Sequence, residues 1–240
     1  MTEDMTDMKN SILVSDTDDL RSSDMIKYSL GGLMYTPAHN SKVSSFITDK
    51  KYEHLRSLAL CLEDAIADGT EDAAIEQIGK TFSEIRESAE SGIIIPGELP
   101  YIFVRVKSPD QIERVAEITE YSRYLTGFIF PKFDVQNAQT YLETLSKINQ
   151  NVDNILYGMP ILESRSVLDI RNRINTLSEI KDITDSYRDN IINIRIGGND
   201  FCSRFGVRRN ITDSIYDIAA VSSVIGDIVN IFSGDYVVSA

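Results

Sequence analysis

Histidine is scarce in this chain. His39 and His54 are the only two, too few for a His-rich zinc or iron centre. Cys61 and Cys202 share no metal-ligand spacing and stand in no secretory context, so two reduced thiols in a cytoplasmic protein are expected rather than a disulfide. No apolar run approaches the roughly 18 residues of a membrane span. The start, Met1-Thr2-Glu3-Asp4, is acidic where a signal peptide would be basic, so no membrane partner is expected. Positive charge is also short: 24 Lys and Arg face 37 Asp and Glu, a net charge of −13, which disfavours binding to a nucleic-acid backbone.

What is present suits one globular domain. Hydrophobic residues make up 42% of the 240, enough to bury a sizeable core. Residues 1–26 are rich in Asp, Ser and Thr with a short apolar patch at Ile12-Leu13-Val14, and are expected to form an acidic tail ahead of a domain over 27–240. From there, seven apolar runs of strand length alternate with segments of helical period. The runs are Leu30 to Tyr35, Leu58 to Leu62, Tyr101 to Val106, Gly127 to Phe130, Ile155 to Leu162, Ile191 to Ile196, and Ile228 to Val238, the last broken by Ser233-Gly234-Asp235.

Between them, Ile75, Ile78, Phe82, Ile85 and Ala89 recur at spacings of three and four and predict a helix with one apolar stripe. Ala138, Tyr141, Leu142 and Leu145 predict another, and Ile215, Ile218, Ala219 and Ile225 a third. Ser108-Pro109-Asp110-Gln111 predicts a capped helix start. The fold class is α/β with a parallel sheet. Periodicity alone leaves a doubly wound sheet and a TIM-type (β/α)8 barrel both open, and a barrel would be truncated or open after strand seven.

Polar residues follow almost every run: Glu63-Asp64, Arg105, Lys132, Glu163 and Asn199-Asp200. In a barrel these carboxyl ends open on one face, where such enzymes keep their active sites. Glu163 and Asp200, on neighbouring strands, suit a hard cation such as Mg²⁺ or Mn²⁺, with water and substrate filling the octahedron. Arg105 can hold a carboxylate or oxyanion through two parallel hydrogen bonds. An Arg beside a carbonyl-polarising ion suits enolate chemistry.

Each position also has a plainer reading. Glu63-Asp64 could cap the following helix, and Asp134 is expected to do so and to carry no chemistry. Gly197-Gly198 lacks the spacing and the Lys-Ser/Thr of a P-loop and is read as allowing close backbone approach to the site. Arg204, Arg208 and Arg209 form a basic cluster that could receive a substrate phosphate or carboxylate, or be a solvated, salt-bridged surface.

In order, these segments resemble the citrate lyase beta subunit and its relatives, the malyl-CoA lyases and 2-keto-acid aldolases, over residues 29 to about 215. Leu33 to Ala38 is similar to the first-strand motif, Leu60-Cys61-Leu62-Glu63-Asp64-Ala65 to D-L-E-D-A/G, and Val104-Arg105-Val106 to V-R-V/I-N. Phe130-Pro131-Lys132 is similar to L-P-K, Ile161 to Arg165 to I-E-T-A-R-G, and Gly197 to Phe201 to G-A-E-D-L. The resemblance implies a (β/α) barrel and a Mg²⁺-dependent carbon–carbon lyase or aldolase acting through a metal-stabilised enolate on a small keto or hydroxy acid or its coenzyme A thioester. It implies that Glu163 and Asp200 bind Mg²⁺, that Arg105 holds the keto-acid carboxylate or enolate oxygen, and that Glu63 and Asp64 support the metal waters.

Four positions depart from the pattern: Cys61 replaces an acid, Lys107 an Asn, Ser166 a Gly and Asn199 an acid. They are similar to a branch of TIM-barrel carbon–carbon bond lyases encoded beside tellurite-resistance and stress genes. Members of the wider family form trimers or hexamers, so a homo-oligomer is one expectation. The alternative reading is a catalytically inactive barrel serving as a binding or scaffold protein in a stress-response complex. A phosphate-transfer enzyme ranks third, since no P-loop or kinase signature is present.

Overall fold

The computed structural model describes residues 23–120, 123–208 and 210–239. Within them a short helix, α1 (Ser23–Ser29), precedes seven strands that lie side by side in chain order. These are β1 (Leu33–Pro37), β2 (Ser57–Cys61), β3 (Tyr101–Arg105), β4 (Leu125–Phe130), β5 (Tyr157–Leu162), β6 (Ile194–Ile196) and β7 (Val238–Ser239). Every neighbouring pair is parallel. Parallel pairing needs a crossover, and each crossover is helical. The helices are α2 (Val43–Thr48), α3 (Glu71–Glu90), α4 (Asp110–Ile118), α5 (Val135–Asn149), α6 (Arg165–Leu168) with α7 (Arg173–Asp185), and α8 (Gly198–Phe205) with α9 (Ala219–Phe232). The outer edges of β1 and β7 have no strand partner among the described residues, so the sheet is a curled TIM-type half-barrel, open after strand seven.

The two-residue period of a strand sorts its side chains onto two faces. Leu58, Leu60 and Leu62, Ile102, Val104 and Val106, and Phe128 and Phe130 share a buried layer with Ile75, Ile78, Phe82 and Ile85 of α3 and Ala138, Leu142 and Leu145 of α5. The residues between them, Ala59, Phe103, Ile129, Met159 and Ile161, form a separate inner cluster. Ile26 of α1 and Leu30 join that inner cluster, and Ser57, at the start of β2, donates its hydroxyl to the Leu30 carbonyl. They close the N-terminal end of the half-barrel, and burial of each is worth about 1.5–3 kcal/mol. Polar chemistry is thereby left to the other end.

Several expected boundaries move. Residues 1–22 of the expected acidic tail lie outside the described residues, while 23–26 begin α1, with Ile26 buried. The first run starts its strand at Leu33 because Leu30 turns into the inner cluster, and the fifth starts at Tyr157, leaving Ile155 exposed. The seventh run opens as helix: Ile228 and Phe232 complete a buried α9 stripe with Val221 and Val224, 233–237 form a turn, and only Val238–Ser239 pairs as a strand. That stripe, spaced three and four, replaces the one expected from Ile215, Ile218, Ala219 and Ile225: the three isoleucines stay at the margin of the core and Ala219 is exposed. No side chain caps α4 directly. The Gln111 side chain instead accepts from the Lys107 N–H at 2.7 Å. No helix of the described residues is long and apolar enough to cross a membrane, and both cysteines are free thiols.

Candidate active site

The inward parity of each strand, carried past its carboxyl end, delivers the polar residues to one place. Ala59 and Cys61 are followed at the same parity by Glu63, Phe103 by Arg105, and Met159 and Ile161 by Glu163. Cys61 is the register partner of Arg105, so the ends of β2 and β3 are level. Arg105 is 9% exposed, buried among carboxylates. Its Nη2 lies 2.6 Å from Glu63, 3.1 Å from Asp64 and 3.4 Å from Glu163. Its Nε is buried with no hydrogen-bond partner, an orphan donor of a kind that native structures rarely leave unexplained. The Tyr35 ring of β1 stands 5.9 Å from the guanidinium carbon. Burial weakens the case for a charge here, but Glu63, Glu163 and Asp64 outweigh it and hold the guanidinium protonated.

Glu163 is the pivot. Its side chain is 4% exposed, accepts from the Lys132 main-chain N–H at 2.9 Å and is a hydrogen-bond neighbour of Asp200, at the N-terminal turn of α8. Burial, followed by the Asp200 carboxyl, pushes its pKa up to about 7, against the pull of the Lys132 N–H and Arg105. Two carboxyls in contact must share a proton or a cation. Gly197 makes the approach feasible, since a Cβ there would run into the Glu163 side chain. Gly197 is therefore the close-approach residue, while Gly198 makes room for the Ile215 side chain.

Lys132 joins the two halves of the site. Its backbone sits in the left-handed region at φ 50°, uncommon for a non-glycine residue. Its Nζ pairs with Glu63 while its N–H serves Glu163. The α5 cap holds this geometry: Asp134 accepts from the Val135 N–H at 2.7 Å, and Asn137 accepts from the Asp134 N–H at 2.9 Å and donates to the Lys132 carbonyl at 3.0 Å. Asp134 thus caps, as expected, whereas Glu63 is drawn onto Arg105 and Lys132 instead of capping a helix. Residue type and spacing assign Lys132 no role, although its place directly after β4, beside a proline, is a usable signal.

All five sequence-predicted residues, Glu63, Asp64, Arg105, Glu163 and Asp200, therefore meet at one mouth. The expected basic cluster does not assemble. Arg204 lines a separate pocket together with Arg165 and Arg171, a lining that lacks Arg208, and Arg209 lies outside the described residues. Of the four departures, Lys107 is drawn outward onto Asp68 at 2.9 Å and Glu71 at 3.0 Å, and Asn199 is exposed. Ser166 bonds Asp134 at 2.6 Å, and Cys61 is buried beside Arg105.

The donor set bears on which ion would fit. Among the described residues no three His, Cys, Asp or Glu form a closed metal cage. A pair of carboxylates suits Mg²⁺, which keeps several waters and is commonly held by one or two protein carboxylates.

Fold and site together define a TIM-type α/β protein with a carboxylate–arginine mouth at the C-terminal ends of its strands. The chain belongs to the family of C–C bond lyases of the TIM-barrel fold, whose model matches residues 24–240. Its structure is similar to that of CitE from Mycobacterium tuberculosis in complex with magnesium and acetate, at 16% identity and TM-score 0.51, covering 89% of this chain and 75% of that one. A complex of the same protein with magnesium, acetoacetate and coenzyme A matches at 15% identity and TM-score 0.52, with 89% and 66% covered. The Haloferax volcanii malate synthase pyruvate/acetyl-CoA ternary complex matches at 16% identity and TM-score 0.54, over 76% of this chain and 49% of that one. The chain therefore spans about half the length of the malate synthase it resembles. Among curated proteins none matches it significantly.

Proposed function

We propose that this protein is a Mg²⁺-dependent carbon–carbon bond lyase or aldolase acting on a small keto or hydroxy acid, as the free acid or its coenzyme A thioester. The observation that carries the reading is the buried Glu163 carboxyl in contact with Asp200, beside an Arg105 whose Nε lacks a partner. Glu163 and Asp200 would hold the ion. When bound, Mg²⁺ supplies Lewis-acid polarisation of a carbonyl and neutralises charge as an enolate develops. Arg105 presents its free Nε–H to the substrate carboxylate or enolate oxygen, already desolvated and so able to bind strongly. Glu63 and Asp64 hold Arg105 from the other side, and in this reading also support the waters of the ion. Lys132 fixes both Glu63 and Glu163 in place. The magnesium, acetoacetate and coenzyme A bound by CitE, and the pyruvate and acetyl-CoA bound by malate synthase, support this substrate class.

The test is calorimetric titration of Mg²⁺ into purified protein, with and without pyruvate, oxaloacetate or acetyl-CoA, for wild type, Glu163→Ala and Asp200→Ala. The reading expects metal binding that one of these ligands strengthens and both substitutions remove. Wild-type-like affinity in both variants would sink it. No binding at millimolar metal would favour an inactive scaffold barrel, while turnover of a keto acid or thioester that Arg105→Ala abolishes would reject the scaffold.

A further inference from the structure

Beside the mouth, at the outer end of the same strands, lies a pocket of about 840 Å³ whose lining includes Arg165, Arg171 and Arg204 with Asp134, Asp169 and Phe205. Its charges differ in how far they are already engaged. Arg171 is closed onto Asp169 by two parallel hydrogen bonds, at 2.9 and 2.7 Å. Asp134 is tied to the α5 terminus and to Ser166. Arg165 and Arg204 are exposed and make no hydrogen bond or ion pair with any described residue, although Arg165 is near enough to Asp169 for its charge to lower that carboxyl's pKa. Three arginines against two carboxylates leave this pocket one positive charge, in a chain whose net charge is −13.

Their placement relative to the mouth is specific. Arg165 follows Glu163 by two residues, and Arg204 follows Asp200 by four on α8, which puts it one turn along the same helix face, about 6 Å away. The pocket is linked to the mouth through Asp134, Ser166 and Ser164, with the two serine hydroxyls 2.8 Å apart. We propose that Arg165 and Arg204 form an anion subsite, and that the substrate held at Glu163 and Asp200 carries a second anionic group, a phosphate or a carboxylate, that seats between these two guanidiniums. The inference rests on the proposed reading of the mouth for what the ligand is, but the subsite itself can be tested without metal.

Inorganic phosphate and acetate are titrated separately, in chelator and at low ionic strength, into wild type, an Arg165→Gln/Arg204→Gln double variant and Arg208→Gln. Because the chain is strongly acidic, nonspecific anion binding is suppressed and saturable binding reports a built site. Wild type is expected to bind at least one probe saturably. The double variant should bind it at least about tenfold more weakly, through loss of two charge-assisted contacts, and Arg208→Gln should bind it like wild type. Tighter phosphate identifies a phosphorylated substrate, and tighter acetate a dicarboxylic one. Absent binding by wild type, or equal affinity in the double variant, overturns the subsite. Exposed Arg→Gln changes leave the fold intact, so Mg²⁺ affinity in the double variant should match wild type. Loss of that affinity would overturn a separate subsite, whereas its absence in wild type as well would count against the metal reading alone.

Discussion

The main-chain N–H of Lys132 donates to Glu163 Oε1 at 2.9 Å from a backbone held at φ 50°. One residue thus places a donor on the buried carboxyl and, through its Nζ, a cation on Glu63. The two functions are separable. Lys132→Gly keeps the N–H, relieves a left-handed strain of about 1 kcal/mol and removes the cation, so denaturant unfolding should place its stability within about 1 kcal/mol of wild type. On the proposed mechanism its turnover should fall at least tenfold. Lys132→Val keeps the strain and adds a β-branch, and should be less stable than Lys132→Gly by about 2 kcal/mol.

Gly197 tests the contact between β6 and Glu163. A methyl group there collides with the Glu163 side chain, and a packed core yields little. Gly197→Ala should cost about 1–3 kcal/mol in thermal or denaturant unfolding and weaken Mg²⁺ binding at least tenfold. Normal metal affinity in a folded Gly197→Ala protein would show that the close approach is not needed.

Glu163 should leave a pH signature. Its folded value of about 7 lies above the reference value of 4.5. Between those values the folded protein keeps a proton that the unfolded chain has released, so this residue's contribution to stability falls as pH rises through the window, by at most about 3 kcal/mol. Metal-free wild type and Glu163→Gln, unfolded across pH 4–8, should differ by a gap that changes in this sense. Saturating Mg²⁺, which favours the ionised carboxyl, should reduce the wild-type slope between about pH 4.5 and 7. A gap constant with pH would show that Glu163 ionises normally.

Arg173 should matter to stability and not to chemistry. It is 4% exposed and donates to the Val167 and Leu168 carbonyls, and its Nη1 bonds Ser223 and Asp227 at 3.2 and 2.8 Å. It therefore ties α7 to α6 and to α9. Arg173→Ala removes one partner of a largely buried pair and orphans two carbonyls, and should destabilise by about 3 kcal/mol. Mg²⁺ affinity in the folded fraction should be unchanged.

Much of the fold and of the site is legible in the sequence. The α3 and α5 stripes are strongly periodic, and six of the seven apolar runs hold a strand because a parallel strand buried on both faces must be apolar throughout. The seventh run misleads: Ile228, Val229, Ile231 and Phe232 would suit either conformation, and only packing of Val221, Val224, Ile228 and Phe232 on one face decides for helix. Lys132 is easily overlooked because its value lies in a backbone angle and an N–H, neither of which residue identity reports. The engagement of Lys107 with Asp68 and Glu71 depends on a crossover bringing distant residues together, so spacing along the chain does not show it.

By itself the sequence determined which residues can be buried, where chain direction reverses, and that carboxylates and an arginine follow successive strands, because hydrophobic period and strand parity are local properties. Only the tertiary structure decided that Arg105 sits among Glu63, Asp64 and Glu163, that Glu163 touches Asp200, and that Arg204 lines a pocket with Arg165 and not with Arg208. Those contacts follow from strand register and curvature, which are set by the packing of the whole half-barrel rather than by any one segment.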